Sequence, residues 1–303
     1  MLSNGSPKWS SHNDNNKYLN SKLFENDIIK NEIYVSLDGS KDFTSIVDAV
    51  NSIPDFSEEK YTIYIMEGTY NLLNELGGDT FLNAIDSSTS NRNGLNLISK
   101  NVKIVGIGSV ILNMLIPDEK TNENTASKIS ALECAYNVEL ENITINTQNC
   151  RYAIHDETGN NSLYNNTLHK FKNVKVKHLG NKSGVWQNTA PYGCGTSSGC
   201  IYDFENCLFT SPNYLAWSMH NNENQKTVTV SFDGCVFNGK YIFDTDSLSV
   251  KFGYYKENTD MNKVFIKNCI SSYKIGVRPE SALVTSDNVW QLYNFTDIDT
   301  VIN

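Results

Sequence analysis

One phrase recurs five times along this chain. It reads Leu140-Glu141-Asn142-Ile143, Phe171-Lys172-Asn173-Val174, Phe204-Glu205-Asn206-Cys207, Phe232-Asp233-Gly234-Cys235 and Ile266-Lys267-Asn268-Cys269. Each copy has an apolar residue, a charged one, Asn or Gly, then a small apolar residue or Cys. The Asn/Gly positions are 31, 33, 28 and 34 residues apart. A period of that size marks a stacked repeat. The alternation around each phrase has the period of a strand, not of a helix. One such unit cannot bury its apolar side alone, so units must pile into a solenoid. The expectation is an all-β, right-handed, single-stranded parallel β-helix, each turn of the coil being one repeat.

Residues 1–28 are polar and without period and read as an arm or linker. The β-helix is expected over 29–276, and 277–303 reads as a far-end cap or tail. Phe43, Ile46, Val47, Val50 and Ile53 recur at helical spacing, with Ser40 or Asp42 as candidate cap and Pro54 as the stop. An open solenoid end exposes strand edges, and this amphipathic helix is expected to cover it. Glu67-Gly68-Thr69-Tyr70 reads as a turn, and residues 72–97 as an elaborated loop.

Net charge is −9 and no Lys/Arg cluster stands out. That excludes a nucleic-acid partner, which would want a basic face, while neutral or cationic glycans stay open. No run is long enough to span a membrane. The N-terminus lacks the apolar stretch of a signal peptide, so standard secretion is not expected. Seven cysteines without a secretory signal read as buried thiols, not as a disulfide framework. The sequons at Asn142 and Asn181 are expected by chance in so Asn-rich a chain.

The stretch Val35-Ser36-Leu37-Asp38-Gly39-Ser40-Lys41-Asp42-Phe43-Thr44-Ser45-Ile46, followed by Ala49-Val50 and then Tyr61 to Tyr70, resembles the opening of the pectinesterase branch of the pectin-lyase-like superfamily. The resemblance implies a right-handed parallel β-helix with an N-terminal capping helix. Pectinesterase chemistry would need an aspartate dyad in QDT-like and DFIFG-like segments and an Arg in a GRPW-like one. Lys177-His178-Leu179-Gly180 and Tyr214-Leu215-Ala216-Trp217-Ser218 stand where the first two should fall, and the third is missing. Without one carboxylate as nucleophile and one as acid/base, ester hydrolysis by that dyad is unsupported. Residues 151–158, 193–200 and 218–222 resemble β-helix modules of bacteriophage tail appendages, which implies a virion tail protein made in the bacterial cytoplasm, symmetric and commonly trimeric.

His155, His178 and His220 follow strand phrases at related offsets, as do Trp186 and Trp217. Related offsets stack on one face of a solenoid. With Asp156, Glu157, Arg151 and Asn221 they form a candidate glycan-contacting groove, because aromatic faces stack on sugar rings and polar groups bond hydroxyls. The competing reading makes each His a satisfied polar residue and each Trp part of the core. Candidate catalytic groups are His155, Asp156, Glu157 and His178. Asp156 and Glu157 are neighbours on a strand and point to opposite faces, so a glycosidase pair would need Asp156 with Asp203, and an acid/base pair Glu157 with His178. A lyase would draw on Arg151, Lys175, Lys177 or Arg278. No cofactor or metal site is expected. The chain lacks short-spaced zinc ligands, Cys194 and Cys200 read as ordinary thiols or a local bridge, and Asp244-Thr245-Asp246 as a solvated turn in preference to a calcium site. Two functions follow: a tail appendage that contacts a host surface polysaccharide and other virion proteins, or a polysaccharide-active hydrolase, lyase or esterase.

Overall fold

At every copy of the recurring phrase the chain turns a left-handed corner. Asn142, Asn173, Asn206 and Asn268 have φ of 58°, 54°, 53° and 53°, and Gly234 has φ of 66°. Among ordinary residues Asn tolerates this region best, and Gly adopts it without a Cβ penalty. The computed structural model describes residues 31–157, 161–187, 189–195, 198–212, 216–220, 228–238, 263–271 and 292–293. The expected arm at 1–28 lies outside them, as do Asp244-Thr245-Asp246, Arg278 and the expected tail at 277–303 apart from Leu292–Tyr293, which pairs in parallel with Val264 and Phe265.

Strands on either side of the corners pair in parallel, each with the equivalent strand one coil away. Leu140 pairs with Phe171, Phe171 with Phe204, Phe204 with Phe232 and Phe232 with Ile266. The sequence period is therefore the register itself. These strands make one large parallel sheet that bends at the corners. Asn93–Leu97, Ile129–Cys134, Tyr152–Glu157, Ala190–Gly195 and Ser218–His220 pair in that order as a second parallel sheet of five strands. The chain is a right-handed parallel β-helix, the hand that parallel crossovers take.

The interior is built of ladders. Phe171 stacks on Phe204 and Phe204 on Phe232, both at 5.0 Å between ring centroids. Phe209 stacks on Phe237 at 5.5 Å. The residue after each corner points inward, and there Cys207, Cys235 and Cys269 follow Ile143 and Val174. All seven cysteines are buried free thiols. Hydrogen bonding to its thiol neighbour and burial push Cys269 up, and burial pushes up Cys134, Cys150 and Cys194. On the outside, corner amides form rungs: Asn173 Nδ2 donates to Asn142 Oδ1 at 3.0 Å and Asn268 Nδ2 to Asp233 Oδ1 at 3.0 Å. Glu141, Lys172, Glu205, Asp233 and Lys267 stand in one register column, so mostly opposite charges meet across coils.

The N-terminal helix is shorter than its apolar pattern. It spans Ile46–Asn51, buries Ile46, Ala49 and Val50, and is capped by Ser45, not by Ser40 or Asp42. Asp42 instead accepts from the Tyr34 amide at 2.9 Å, and Phe43 forms a bridge with Val35. Glu75 Oε2 accepts from the amides of Ile46 (2.7 Å) and Val47 (3.1 Å), an anion on free helical N–H groups. Two further expectations change. Residues 67–70 are not a turn but part of the strand Tyr61–Asn71, which carries a bulge between Met66 and Gly68. Residues 72–97 hold the helices Leu72–Glu75 and Asp79–Ser87 and the first strand of the five-strand sheet, Asn93–Leu97.

The corner geometry makes a graded prediction at Asn173. Asn173→Gly keeps the left-handed corner and loses one amide rung, a cost of about 1 kcal/mol. Asn173→Val adds the left-handed penalty of about 1–2 kcal/mol for a residue with a branched Cβ. Urea unfolding should rank wild type, Gly, then Val; equal midpoints for Gly and Val would refute the corner argument.

Candidate functional site

The five-strand sheet sets two rows of side chains in register. Cys134, Asp156 and Cys194 pair across coils, as do Glu133, His155 and Gly193. Successive residues on a strand face opposite ways, so the first row lines the interior and the second the outer face. Each row organises a buried polar cluster.

The outer cluster centres on His155, only 2% exposed. Its Nδ1 lies 2.8 Å from Glu133 Oε2 and its Nε2 2.7 Å from Glu157 Oε2. An imidazole facing a carboxylate on each side needs an N–H on both nitrogens, which is the imidazolium. Burial pulls His155 down, but the charge and hydrogen bond of Glu133 and the bond to Glu157 outweigh it, so its pKa is raised. Glu157 is held down at about 2, first by the His155 hydrogen bond. Glu133 is 1% exposed in its side chain, whereas Glu157 is 38% exposed and carries the network to solvent. Arg92 closes the charge balance: its Nε is 3.6 Å from Glu133 Oε2, and its Nη2 donates to the carbonyls of Cys134 (2.9 Å) and Glu157 (2.6 Å). Arg151 lies over the Tyr152 ring at 4.9 Å. Room for these groups comes from the next coil. A Cβ at Gly193 would come within 2.6 Å of Tyr152, and one at Gly195 within 2.5 Å of Glu157 Cγ.

The inner cluster is closed to solvent. Asp156 Oδ2 lies 2.7 Å from His169 Nδ1 and accepts from Tyr192 Oη at 2.6 Å. His169 Nε2 is 2.9 Å from Thr167 Oγ1, which is 3.3 Å from Cys200 Sγ. The His169 ring stacks on Tyr202 at 4.5 Å. Asp156 and His169 are both 0% exposed, so no substrate reaches them.

The proposed groove is therefore divided. His155 and Glu157 share the outer face of the five-strand sheet, with Arg151 next to them in sequence order on the same coil. Asp156 points inward. Asp203 bonds Ser231 on the large sheet, so it is no partner for Asp156. His178 is a buried, satisfied histidine: Nε2 bonds the Cys150 carbonyl at 3.0 Å, Nδ1 accepts from the Gly180 amide at 3.0 Å, and burial pulls its pKa down to about 4. Glu157 pairs with His155 instead. Trp217 lies in the core, stacked on Tyr192 at 5.4 Å, and offers a sugar no surface. Trp186 is half-buried in the loop before Ala190–Gly195, its carbonyl accepting from Asn181 Nδ2. His220 shares a register column with Glu157 and Gly195; its side chain, and Asn221 entirely, lie outside the described residues.

Sequence reasoning missed Glu133, Arg92 and His169. The signals existed. His169 and Phe171 occupy the same two positions as Tyr202 and Phe204 one coil later, and Glu133 pairs with His155 one repeat earlier.

The outer cluster can accept a proton or a hydroxyl hydrogen bond at Glu157. It presents one accessible carboxylate, since its second is sealed behind His155. A glycosidase needs two carboxylates flanking the sugar.

No family model matches this chain. It is 43% identical over 49 residues to a pectinesterase/pectinesterase inhibitor of Prunus persica and 41% identical over 49 residues to a probable pectinesterase/pectinesterase inhibitor of Arabidopsis thaliana. Each match covers 16% of this chain and spans only 9% of the relative. Among solved structures, a pectin methylesterase in complex with a hexasaccharide is 11% identical, with a TM-score of 0.36 over 86% of this chain and 92% of that one. Pectin methylesterase from carrot is 14% identical, with a TM-score of 0.36 over 86% and 67%. At that similarity the strand register, not the superposition, carries the fold.

Two predictions follow from the clusters. A raised His155 pKa contributes stability that is fully present below the unfolded value near 6.5 and is lost as pH rises through the folded value. The lowered Glu157 pKa contributes stability present above about 4.5 and lost as pH falls toward about 2. Unfolding midpoints in urea should thus decline on both sides of a mildly acidic plateau, and His155→Gln should flatten the alkaline decline; an unchanged alkaline limb in the variant would refute the ion pairing. Trp217→Ala should cost about 3–5 kcal/mol through the cavity it leaves, read as a lower thermal midpoint.

Proposed function

We propose that this chain is a polysaccharide-active protein that works on the outer face of the five-strand sheet, with Glu157 as the group that meets the sugar. One observation carries this reading: an ionised carboxylate on a rigid strand, its geometry held from behind by His155, Glu133 and Arg92. Such preorganisation suits a base, a nucleophile or an acceptor of sugar hydroxyls. The local likeness to pectinesterases supports a carbohydrate-active protein. The tail-appendage reading, with its virion partners and trimer, rests on sequence resemblance alone.

The same charge argues about substrate. A fixed Glu157 carboxylate on a chain of net charge −9 repels polyuronates. Neutral or amino-sugar polysaccharides are the favoured class. The sequence lacks the pectinesterase dyad, and His155–Glu157 does not replace it, because an ionised Glu157 has no second accessible carboxylate in its network to serve as acid.

The test is a panel of neutral, cationic and uronate polysaccharides, assayed for reducing ends, unsaturated uronates, released acetate or methanol, and binding by calorimetry. Binding or turnover on a neutral or cationic polymer is expected, with a loss of tenfold or more in Glu157→Gln. An inert panel, or a Glu157→Gln variant equal to wild type, would remove Glu157 from the proposed role.

A further inference from the structure

A second surface stands at the corner where the five-strand sheet hands over to the large one. Phe56 is 42% exposed and its backbone has φ of 51°. A bulky residue rarely adopts that conformation. Nothing in the local sequence requires it, since a Gly there would be free of strain. The segment around it is nevertheless clamped. The Phe56 amide donates to the Ser99 carbonyl at 2.7 Å, and Lys100 Nζ bonds the Ile53 carbonyl at 2.6 Å and Asp55 Oδ1 at 2.7 Å. Asn101 Nδ2 bonds the carbonyls of Ser57 and Glu58, both at 3.2 Å. Strain that the surroundings over-determine in this way points to function.

What the clamp holds in place is an aromatic group. The Phe56 ring lies 5.5 Å from Tyr136 and 6.2 Å from Tyr164. Tyr136 precedes Val138 and Tyr164 precedes Leu168, so these two rings come from successive coils, while Phe56, from the loop two coils before Tyr136, reaches both and completes an aromatic ridge. Leu163 beside them is 61% exposed, and Asn161 and Asn165 lie on the surface of the same corner. Lys100, the lysine of the clamp, is engaged by Asp55 and the Ile53 carbonyl and mostly buried, so the ridge presents rings and amides to a ligand. Half-exposed aromatic rings flanked by amides, held rigid before any ligand arrives, are the chemistry of pyranose stacking.

We infer that Phe56, Tyr136 and Tyr164 form a docking ridge for a polysaccharide strand, a subsite additional to the outer face of the five-strand sheet. The inference rests on the polysaccharide reading above and extends it: Glu157 meets one sugar, while the ridge at the C-terminal end of the same sheet holds residues of the polymer further along. The ridge therefore discriminates by chain length.

Phe56→Gly tests this, because Gly adopts a φ of 51° freely and removes only the ring. Its thermal midpoint should equal or exceed that of wild type. Its Kd for the long polymer found in the panel should rise on the order of tenfold, with short oligosaccharides of the same sugar bound as in wild type. Tyr164→Ala should do the same. Long and short ligands weakened equally, or neither weakened, would overturn the ridge while leaving Glu157 in its role. A panel with no ligand at all would remove both. Concentration-dependent dimerisation abolished by Phe56→Gly would overturn the ridge in favour of a contact between copies.

Discussion

The left-handed corner is the constraint on which the rest depends. A strand that keeps to ordinary extended angles runs straight, and a coil needs a sharp bend at the same place in every turn. Asn and Gly supply that bend at the phrase position of five successive coils. Once the corner repeats, the residue before it and the residue after it are fixed inward or outward. Phe171, Phe204 and Phe232 then stack because they precede equivalent corners, and Cys207, Cys235 and Cys269 stack because they follow them. A shift of one residue would move every inward side chain to solvent. The corner amides and the alternating charges outside reinforce the same register from the other face.

Within that frame, polar groups inside the solenoid must be satisfied by neighbours one coil away, since strand pairing already consumes the backbone. Asp156 shows how. It is fully buried, and its partners Tyr192 and His169 come from the strand above and from the next face of the same coil. Leaving an acid without such partners would cost several kcal/mol. The outer cluster obeys the same rule with one difference. Its chain of charges ends at a carboxylate that touches water, which separates a group able to act from one that only holds the core.

The fold was legible because its signal is one-dimensional: a period and a parity. The five phrases coincide with the paired registers, and of the residues at helical spacing Ile46, Val50 and Ile53 are buried, with Phe43 and Val47 packed partly buried against the core. The site was legible only in part, for a physical reason. His155 and Glu157 are two residues apart on one strand, so parity alone puts them together. Glu133 and Arg92 reach them across coils, Glu133 from the strand one coil back and Arg92 from the corner two coils back, and the helical segment Glu123–Lys128 lies between the two, so neither spacing follows the period of the phrases. Trp217 and His178 misled for the complementary reason. His178 belongs to the large sheet, in register with Thr147, and so never joins the His155 column, and an offset says nothing about which side of the wall Trp217 faces. Tyr192 and Phe204 stacked around Trp217 settle that only in three dimensions.

The division between the two faces also bears on how such a scaffold changes function. An esterase dyad on the outer face needs two accessible carboxylates. Here the outer row reads Glu133, His155, Gly193, and the middle position is a cation. A carboxylate in place of His155 would stand between Glu133 and Glu157 with Arg92 and Arg151 facing three negative charges, an arrangement that like-charge repulsion opposes. The imidazolium is thus what permits two carboxylates to sit on adjacent coils around one buried ring, and it is equally what prevents them from sharing a proton. Exchange of one side chain in a register column therefore changes which chemistry the wall can support while leaving the ladder beneath it untouched.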